Sequence, residues 1–434
     1  MLVLIALLSI TARAAEYQRD EVIAPESADE IDSPMRDAIG EKRKRPRQML
    51  DKRLETAPAF WRDSKIDLGM RFYDFEREVD DTILSEALTG GGELSFTSGR
   101  WRERISIGAS WYGSFAIDAP QNKDGTRLLG PGQSDLSVLG KAYANLHFGN
   151  ITARLYRQDF ALPYLNRQDS RMIPNTHEGY VFTRSESKLH FIVGHISKMK
   201  ERDSEDFVPM AEIAGVDGDH TGTRVAGAQY VFNDSFDVGA LVLNTSDVFQ
   251  TSYVEGSWRR SLSEYWALQL GIQGTDQRSI GAHQLGRFQT QILGMRAIWS
   301  YRNSVLTVAY TTTDAGAAIR KPYGGSPSFN SLMLFDFDRG GEEAWRVGLS
   351  QNFKRFGLPG VGLQLSYARG RNARTNDDTP LSDEREFDIT ADFRPPEGRL
   401  KGFWLRVRYA RGDRGHGAAD RRDFRLILNY DLGL

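Results

Sequence analysis

The last ten residues of the chain, 425–434, alternate between apolar and polar or small side chains. The apolar members are Leu426, Leu428, Tyr430, Leu432 and Leu434. Because side chains alternate between the two faces of a β-strand, these five lie on one face. At the end of a soluble domain such a strand would invite aggregation, whereas in a closed membrane barrel it pairs with the first strand and faces lipid. The pattern therefore favours a transmembrane β-barrel.

The same alternation recurs along most of the chain. It is clear at residues 66–73, 104–111, 266–273, 306–311 and 345–350. A soluble sandwich would also alternate, but these segments continue without helical patterns, and the chain has no cysteine. At roughly ten residues per strand plus loops, the length supports roughly 16 to 20 strands. A barrel of that size is too wide for side chains to fill, so we expect a channel.

One segment inside this region lacks alternation. Residues 160–179 contain two prolines and several charged residues. We therefore predict that 160–179 fold into the channel and narrow it.

The first residues have the features of a secretion signal. Leu2 to Ala12 is apolar, and Ala12-Arg13-Ala14 is a small-x-small cleavage site. We expect a signal peptide at 1–14, a flexible periplasmic segment at 15–58 and the transmembrane barrel at 59–434. A buried N-terminal strand or helix is the alternative for the first residues.

Composition excludes some classes of protein and points weakly to one ligand. Mean hydropathy is −0.47 and no run of eighteen apolar residues follows the first segment, which excludes helical membrane spans. The net charge of −2 favours no nucleic-acid partner. Of the 56 basic residues, 44 are arginine, which binds carboxylates through a planar fork, although GC-rich coding would produce the same bias. The seven histidines have no metal-ligand spacing, and we expect neither metal nor cofactor.

Six segments in order carry a resemblance to a known family. They are residues 68–77, 170–176, 336–345, 356–360, 405–408 and 423–430. Together they resemble the OprD-type substrate-specific porins, the outer-membrane carboxylate channels. The resemblance implies an all-β, antiparallel 18-stranded barrel with inward-folded constriction loops, in the outer membrane of a Gram-negative bacterium. It also implies selective passive uptake of small organic carboxylates such as aromatic acids, sugar acids or amino acids.

The resemblance further implies a line of arginines, the basic ladder, that guides a carboxylate past an acidic wall. By position the ladder is Arg77, Arg171, Arg406, Arg408 and Arg425, and the wall contains Asp336. Where the family usually has a ladder lysine, this chain has Asp392, which we expect either to repel an anion or to pair with a neighbouring arginine. A third possibility is that Asp392 faces bulk water. Alternation independently places Arg406, Arg408 and Arg425 on the polar face of their strands.

Two alternative functions remain open at this level. In a non-selective general porin the arginines would only solvate the pore or pair with nearby acids. A barrel-borne hydrolase would need a Ser–His pair, for which Ser204, Asp203 and His195 are the nearest candidates in sequence, without a nucleophile elbow. The expected partners are the carboxylate and the outer-membrane lipid with its lipopolysaccharide, and the chain would be a monomer or a loose trimer.

Overall fold

The computed structural model of the protein describes residues 57–184, 188–398, 400–415 and 420–433. The predicted signal peptide and nearly all of segment 15–58 lie outside the described residues, and those two assignments stay predictions. Short α-helices occur at Ala59–Arg62 and Met210–Ile213. Within the described ranges, no helix is both long and apolar enough to cross a membrane.

The dominant structure is one antiparallel sheet that closes on itself. Its strands, with the hairpin β6–β7, are β1 Lys65–Val79, β2 Thr82–Thr97, β3 Ile105–Asp118, β4 Leu136–Phe148, β5 Ile151–Gln158, β6 Ala161–Leu162, β7 Leu165–Asn166, β8 Thr176–Arg184, β9 Leu189–Lys200, β10 Val208–Pro209, β11 Thr223–Asn233, β12 Phe236–Thr245, β13 Phe249–Ser261, β14 Trp266–Ser279, β15 Gln289–Tyr301, β16 Ser304–Thr313, β17 Glu343–Asn352, β18 Val361–Arg371, β19 Glu384–Phe393, β20 Phe403–Asp413 and β21 Arg421–Gly433. The hairpin β6–β7 is a separate two-stranded sheet, and without the two-residue β10, which lies beside β9, the remaining 18 strands form a closed barrel. Closure is direct, because β1 pairs with both β2 and β21. The predicted fold class is confirmed.

The barrel is apolar outside and largely polar inside, as alternation predicts. On β1, Met70 and Phe72 are exposed, whereas Tyr73 and Phe75 are buried toward the lumen. On β21, Arg425 is buried between the exposed Phe424 and Leu426. A membrane barrel needs this arrangement because lipid contacts the outer face and water fills the interior.

The longest connections all lie at the same end of the barrel, opposite the turn between β4 and β5. Strands β4 and β5 are joined by the two residues Gly149 and Asn150. Gly149 has φ +61° with open space around its Cα, so the turn conformation, rather than crowding, favours glycine there. At the opposite end lie loops 159–175, 201–222 and 314–342. We call these three the inward loops.

Contacts with lumenal strand residues show that loops 159–175 and 314–342 enter the barrel. The Tyr164 hydroxyl lies 2.9 Å from Thr275 Oγ1 of β14, and the Tyr323 hydroxyl lies 2.9 Å from Thr245 Oγ1 of β12. Two of the loops bind each other, since Asn166 donates to the Gly325 carbonyl at 3.1 Å and accepts from its N–H at 2.9 Å.

The predicted boundary 160–179 was wrong at its C-terminal side. Residues from Thr176 onward belong to β8, which pairs with β5 and β9. The alternation that marks this strand is visible in the exposed Tyr180 and Phe182 on either side of the buried Val181. The prolines and charged residues earlier in the segment favoured a loop, and the predicted loop therefore extended four residues into β8.

Candidate functional site

Two of the predicted ladder arginines face each other across neighbouring strands. Arg408 on β20 is directly in register with Arg425 on β21, and Arg425 is in register with Phe75 on β1. All three occupy the lumenal face of their strands. Side chains in such positions have Cβ atoms about 4.5–5.5 Å apart, and like charges directly opposite repel each other. The register therefore concentrates positive charge at one level of the barrel wall.

Phe75 is the centre of this level, and the sequence analysis did not identify it. Its ring is fully buried, and the guanidinium carbons of Arg77, Arg171 and Arg425 lie 5.1, 5.0 and 5.1 Å from its centroid. Guanidinium groups are attracted to the π-face of an aromatic ring at such distances. Phe75 thus brings together three of the five predicted ladder residues, from β1, β21 and an inward loop.

One carboxylate compensates part of this charge. Asp423 accepts from Arg77 Nε at 2.8 Å and Nη2 at 2.9 Å, and from Arg425 Nη2 at 2.8 Å. Its side chain is fully buried. Arg77 is therefore committed to a bidentate ion pair, which fixes its plane.

Arg171 is held by the backbone of the loops. Its Nε donates to the Thr126 carbonyl at 2.7 Å and its Nη1 to the Ser170 carbonyl at 2.8 Å. Burial lowers the pKa of Arg171 well below its usual value, and the nearby cations Arg425 and Arg202 lower it further. Arg71 of β1 anchors loop 159–175, because it binds Asp169 at 2.8 Å and also donates to the Arg171 carbonyl.

Asp392 forms an ion pair with a ladder arginine. It lies directly opposite Arg406, which binds it through Nε at 2.8 Å and Nη2 at 3.0 Å. Trp404 Nε1 donates to the same carboxylate at 2.5 Å. Asp392 is only 3% exposed, so the possibility that it faces bulk water is wrong. Of the two remaining expectations, the geometry agrees with pairing.

Asp336 lies in the third inward loop, where it shares a cation with Asp338. Lys321 Nζ is 3.0 Å from Asp336 Oδ2 and 2.5 Å from Asp338 Oδ2. Burial raises the pKa of Asp338 to about 6, while Lys321 opposes that rise and Asp336 adds to it. Asp336 is more exposed than Asp338. Burial raises the pKa of Asp336, but Lys321 and the Ser331 hydroxyl stabilise its charged form, and the pKa lies below its ordinary value. No sequence pattern marks Lys321, because it lies in a long loop without alternation.

Arg202 is a further cation that no sequence signal identified. It lies in inward loop 201–222, and its Nη1 donates to Ser170 Oγ at 2.6 Å. Burial lowers its pKa to about 10, with the charge of Arg127 as the next cause. Its field also helps to keep the Asp336 carboxyl ionised. The charge of Arg202 thus affects both Arg171, which lies at Phe75, and Asp336 in loop 314–342.

Loop 314–342 is anchored to the barrel wall by acids on β19. The Glu386 carboxylate accepts from the Leu334 N–H at 2.7 Å and from the Phe335 N–H at 2.8 Å. Asp388 accepts from the Met333 N–H at 3.2 Å. The position of Asp336 within the lumen therefore depends on these acids.

The residues considered for a hydrolase or a metal site have other contacts. His195 lies on the outer face, with its ring 5.8 Å from that of Tyr180. Asp203 is bound by Arg127 Nε at 2.6 Å. Among the described residues, no group of three His, Cys, Asp or Glu could hold a metal ion.

The family model described as outer membrane porin, OprD family, matches residues 58–434. The chain belongs to the OprD family of outer membrane porins. This confirms the resemblance and places this porin in the outer membrane of Gram-negative bacteria. Family and fold indicate a channel rather than an enzyme.

Two curated relatives extend over most of this OprD-family chain. Porin D of Pseudomonas aeruginosa is 22% identical over 423 residues, covering 87% of this chain and 93% of its own. The porin-like protein GalP of Pseudomonas putida is 22% identical over 394 residues, covering 87% and 94% respectively.

Solved structures agree with the fold of this porin. OccK9 (OpdG) of Pseudomonas aeruginosa has a TM-score of 0.79 at 25% identity and covers 87% of this chain and all of its own. OpdK of the same organism, determined with vanillate, has a TM-score of 0.78 at 22% identity, with 86% and 100% covered.

Proposed function

We propose that this porin takes up small organic carboxylates by passive diffusion through an arginine-lined constriction. The observation that carries the proposal is the cross-strand pair Arg408–Arg425. Two cations held directly opposite repel each other, so an anion between them relieves repulsion as well as gaining charge-assisted hydrogen bonds. A carboxylate matches this arrangement, because each of its oxygens can accept from a guanidinium.

A path along the wall follows from strand geometry. Arg406 and Arg408 are two residues apart on β20, which corresponds to about 7 Å along one face. From Arg408 the next cation is Arg425 across the register, followed by Arg77 and Arg171 around Phe75. Several weak sites at such steps let a substrate leave one as it engages the next, as conduction requires.

The arginines differ in how strongly other groups hold them. Arg77 and Arg406 each hold a carboxylate with two bonds no longer than 3.0 Å. Arg408 Nε donates to the neutral hydroxyl of Thr390 at 3.3 Å. We assign the principal binding role to Arg408 and Arg425 because they lie directly opposite each other, with Asp423 bound to Arg425 on one side, and a supporting electrostatic role to Arg77, Arg171 and Arg406.

The solved relative OpdK supports the substrate class, because its structure was determined with vanillate, an aromatic carboxylate. We further propose that the apolar outer face contacts outer-membrane lipid, with lipopolysaccharide in the outer leaflet. The native mass in detergent would distinguish a monomer from a loose trimer.

The test is uptake of radiolabelled benzoate by liposomes that contain the purified protein. Replacing both Arg408 and Arg425 by alanine should reduce benzoate flux by about tenfold, because two fixed charges are removed from a confined pore. Arg411→Ala is the matched control, since Arg411 lies on the same strand but is exposed on the outer face. Equal flux in the double variant, with similar rates for anions and cations, would indicate a non-selective general porin instead.

A further inference from the structure

Four neighbouring strands each present a polar side chain at one level of the outer face of the barrel. Strand register places Arg224 of β11 opposite Asn244 of β12. Gln250 of β13 lies opposite Asn244, and Arg278 of β14 lies opposite Gln250. All four alternate with lumenal residues of their own strands and therefore point away from the barrel. We call these four residues the polar row.

The polar row lies at the end of the barrel that carries the inward loops. Arg224 is the second residue of β11, directly after loop 201–222, and Arg278 is the penultimate residue of β14. Outer-membrane barrels have their longer loops on the extracellular side. Further along the same strands the outer face is apolar, with Val254 and Ile272 55% and 48% exposed. The polar row therefore lies between the apolar band and the extracellular end, at the level of lipid headgroups in the outer leaflet.

The two arginines of the polar row keep most of their positive charge available. Within the described ranges, Arg224 has no ion pair with a carboxylate. The side chain of Arg278 is 54% exposed, and its Nε lies 4.0 Å from Asp276 Oδ2, which also accepts from two glutamine amides of β15 through Oδ1. By contrast, the equally exposed Arg411 on the outer face of β20 lies 2.9 Å from Asp420. The polar row thus offers positive charge that the protein itself does not neutralise.

The spacing of the polar row suits a ligand with two anionic groups. Three strand spacings separate Arg224 from Arg278, which corresponds to about 14 Å between their backbones. Between them, Asn244 Nδ2 donates to Gln250 Oε1 at 3.1 Å. Each side-chain amide has two donor hydrogens and an acceptor oxygen, so this pair can also bind sugar hydroxyls. A disaccharide that carries a phosphate at each end has the required groups in the required order.

We propose that the polar row binds the bisphosphorylated diglucosamine headgroup of lipopolysaccharide, with one phosphate at each arginine. A guanidinium group binds phosphate through paired N–H donors. The acyl chains of the same lipid then continue along the exposed Val254 and Ile272. This inference rests on the part of the proposed function that places lipopolysaccharide against the outer face, and it does not depend on which solute the channel carries.

Binding is measured by native mass spectrometry of the full-length protein in detergent, titrated with bisphosphorylated lipid A. The double variant Arg224→Gln/Arg278→Gln should raise the concentration of lipid A at half-saturation about tenfold to thirtyfold, as expected for two cations near an anionic lipid surface. Arg224→Lys/Arg278→Lys keeps both charges and should stay within about threefold of wild type. Wild-type protein should bind monophosphorylated lipid A and phosphatidylglycerol more weakly than bisphosphorylated lipid A.

Arg385→Gln/Arg411→Gln is the matched control, because it removes two outer-face charges at the same end of the barrel. Arg385 lies opposite Asp413 in the strand register, and Arg411 is paired with Asp420. This variant should bind lipid A as wild type does, and heat-modifiable migration in gels verifies that each barrel is folded.

Equal lipid A binding by wild type and folded Arg224→Gln/Arg278→Gln would overturn the inference. Equal wild-type affinity for lipid A and phosphatidylglycerol would also overturn it, since that result shows only a general attraction for anionic lipids. Benzoate uptake by liposomes that lack lipopolysaccharide should be the same in wild type and the double variant. Failure of wild-type uptake would contradict the proposed carboxylate channel, whereas lipid A binding is measured without any transported solute.

Discussion

Arg406 and Asp392 form a bidentate ion pair between directly opposite positions of β20 and β19, and both side chains are buried. The pair removes one positive charge from the predicted ladder. It also joins the two strands, so changing either partner should alter conduction and stability together.

Asp392→Asn should raise anion selectivity, because the Arg406 charge is no longer cancelled. It should also destabilise the barrel by about 3–5 kcal/mol, the usual cost of leaving one member of a buried ion pair without its partner. Asp392→Lys should be less stable still, since two cations would then be opposed. Reversal potentials and thermal unfolding in detergent measure both effects. Asp420→Asn, which removes the half-buried partner of the exposed Arg411, should change neither by much.

Phe75→Leu should weaken anion binding although it changes no charge. The ring contacts the guanidinium groups of Arg77, Arg171 and Arg425, so its loss lets them separate or reorient. We expect the concentration of benzoate that half-blocks single-channel current to rise about fivefold to tenfold, equivalent to about 1–1.4 kcal/mol. Phe75→Tyr keeps the π-face and should largely retain block. If leucine and wild type are blocked equally, Phe75 has no positioning role.

Glu386→Ala should release the tip of loop 314–342. The carboxylate accepts from the backbone N–H groups of Leu334 and Phe335, and each donor left unsatisfied costs about 1–3 kcal/mol. Single-channel recordings should therefore show larger and noisier conductance. Glu343→Ala, at the exposed base of the same loop on β17, provides the control. Quiet currents of wild-type size in Glu386→Ala would mean that this anchor is dispensable.

Anion selectivity should increase as the pH falls through about 6. The pKa of Asp338 is raised to about 6, mainly by burial, with Asp336 and Glu342 adding to the rise and Lys321 opposing it. On the acid side of that value Asp338 is protonated, and the cluster changes from one net negative charge to none. Chloride selectivity, measured between pH 7.5 and 5, avoids titration of an organic substrate. Asp338→Asn should abolish the change; a persistent step would assign it to another group.

Much of the fold could be predicted because the decisive signal is local. Alternation with a period of two fixes which face of a strand a residue occupies, whatever its partners are. It indicated a barrel and placed Arg406, Arg408 and Arg425 on the inner face, where the structure has them. The predicted loop ran four residues into β8, because a register shift between Glu178 and Gly179 interrupts the strand where it begins.

The sequence by itself determined the barrel and the orientation of its strands, because those depend on neighbouring residues. Only the tertiary structure decided how the charges combine. Asp392 was compatible with repulsion or pairing until strand register placed it opposite Arg406. Phe75 contacts Arg171 and Arg425 for two reasons: the barrel closes between β21 and β1, and inward loop 159–175 enters the barrel. Contacts between residues so far apart in sequence depend on closure and loop packing, which leave no periodic pattern in the chain.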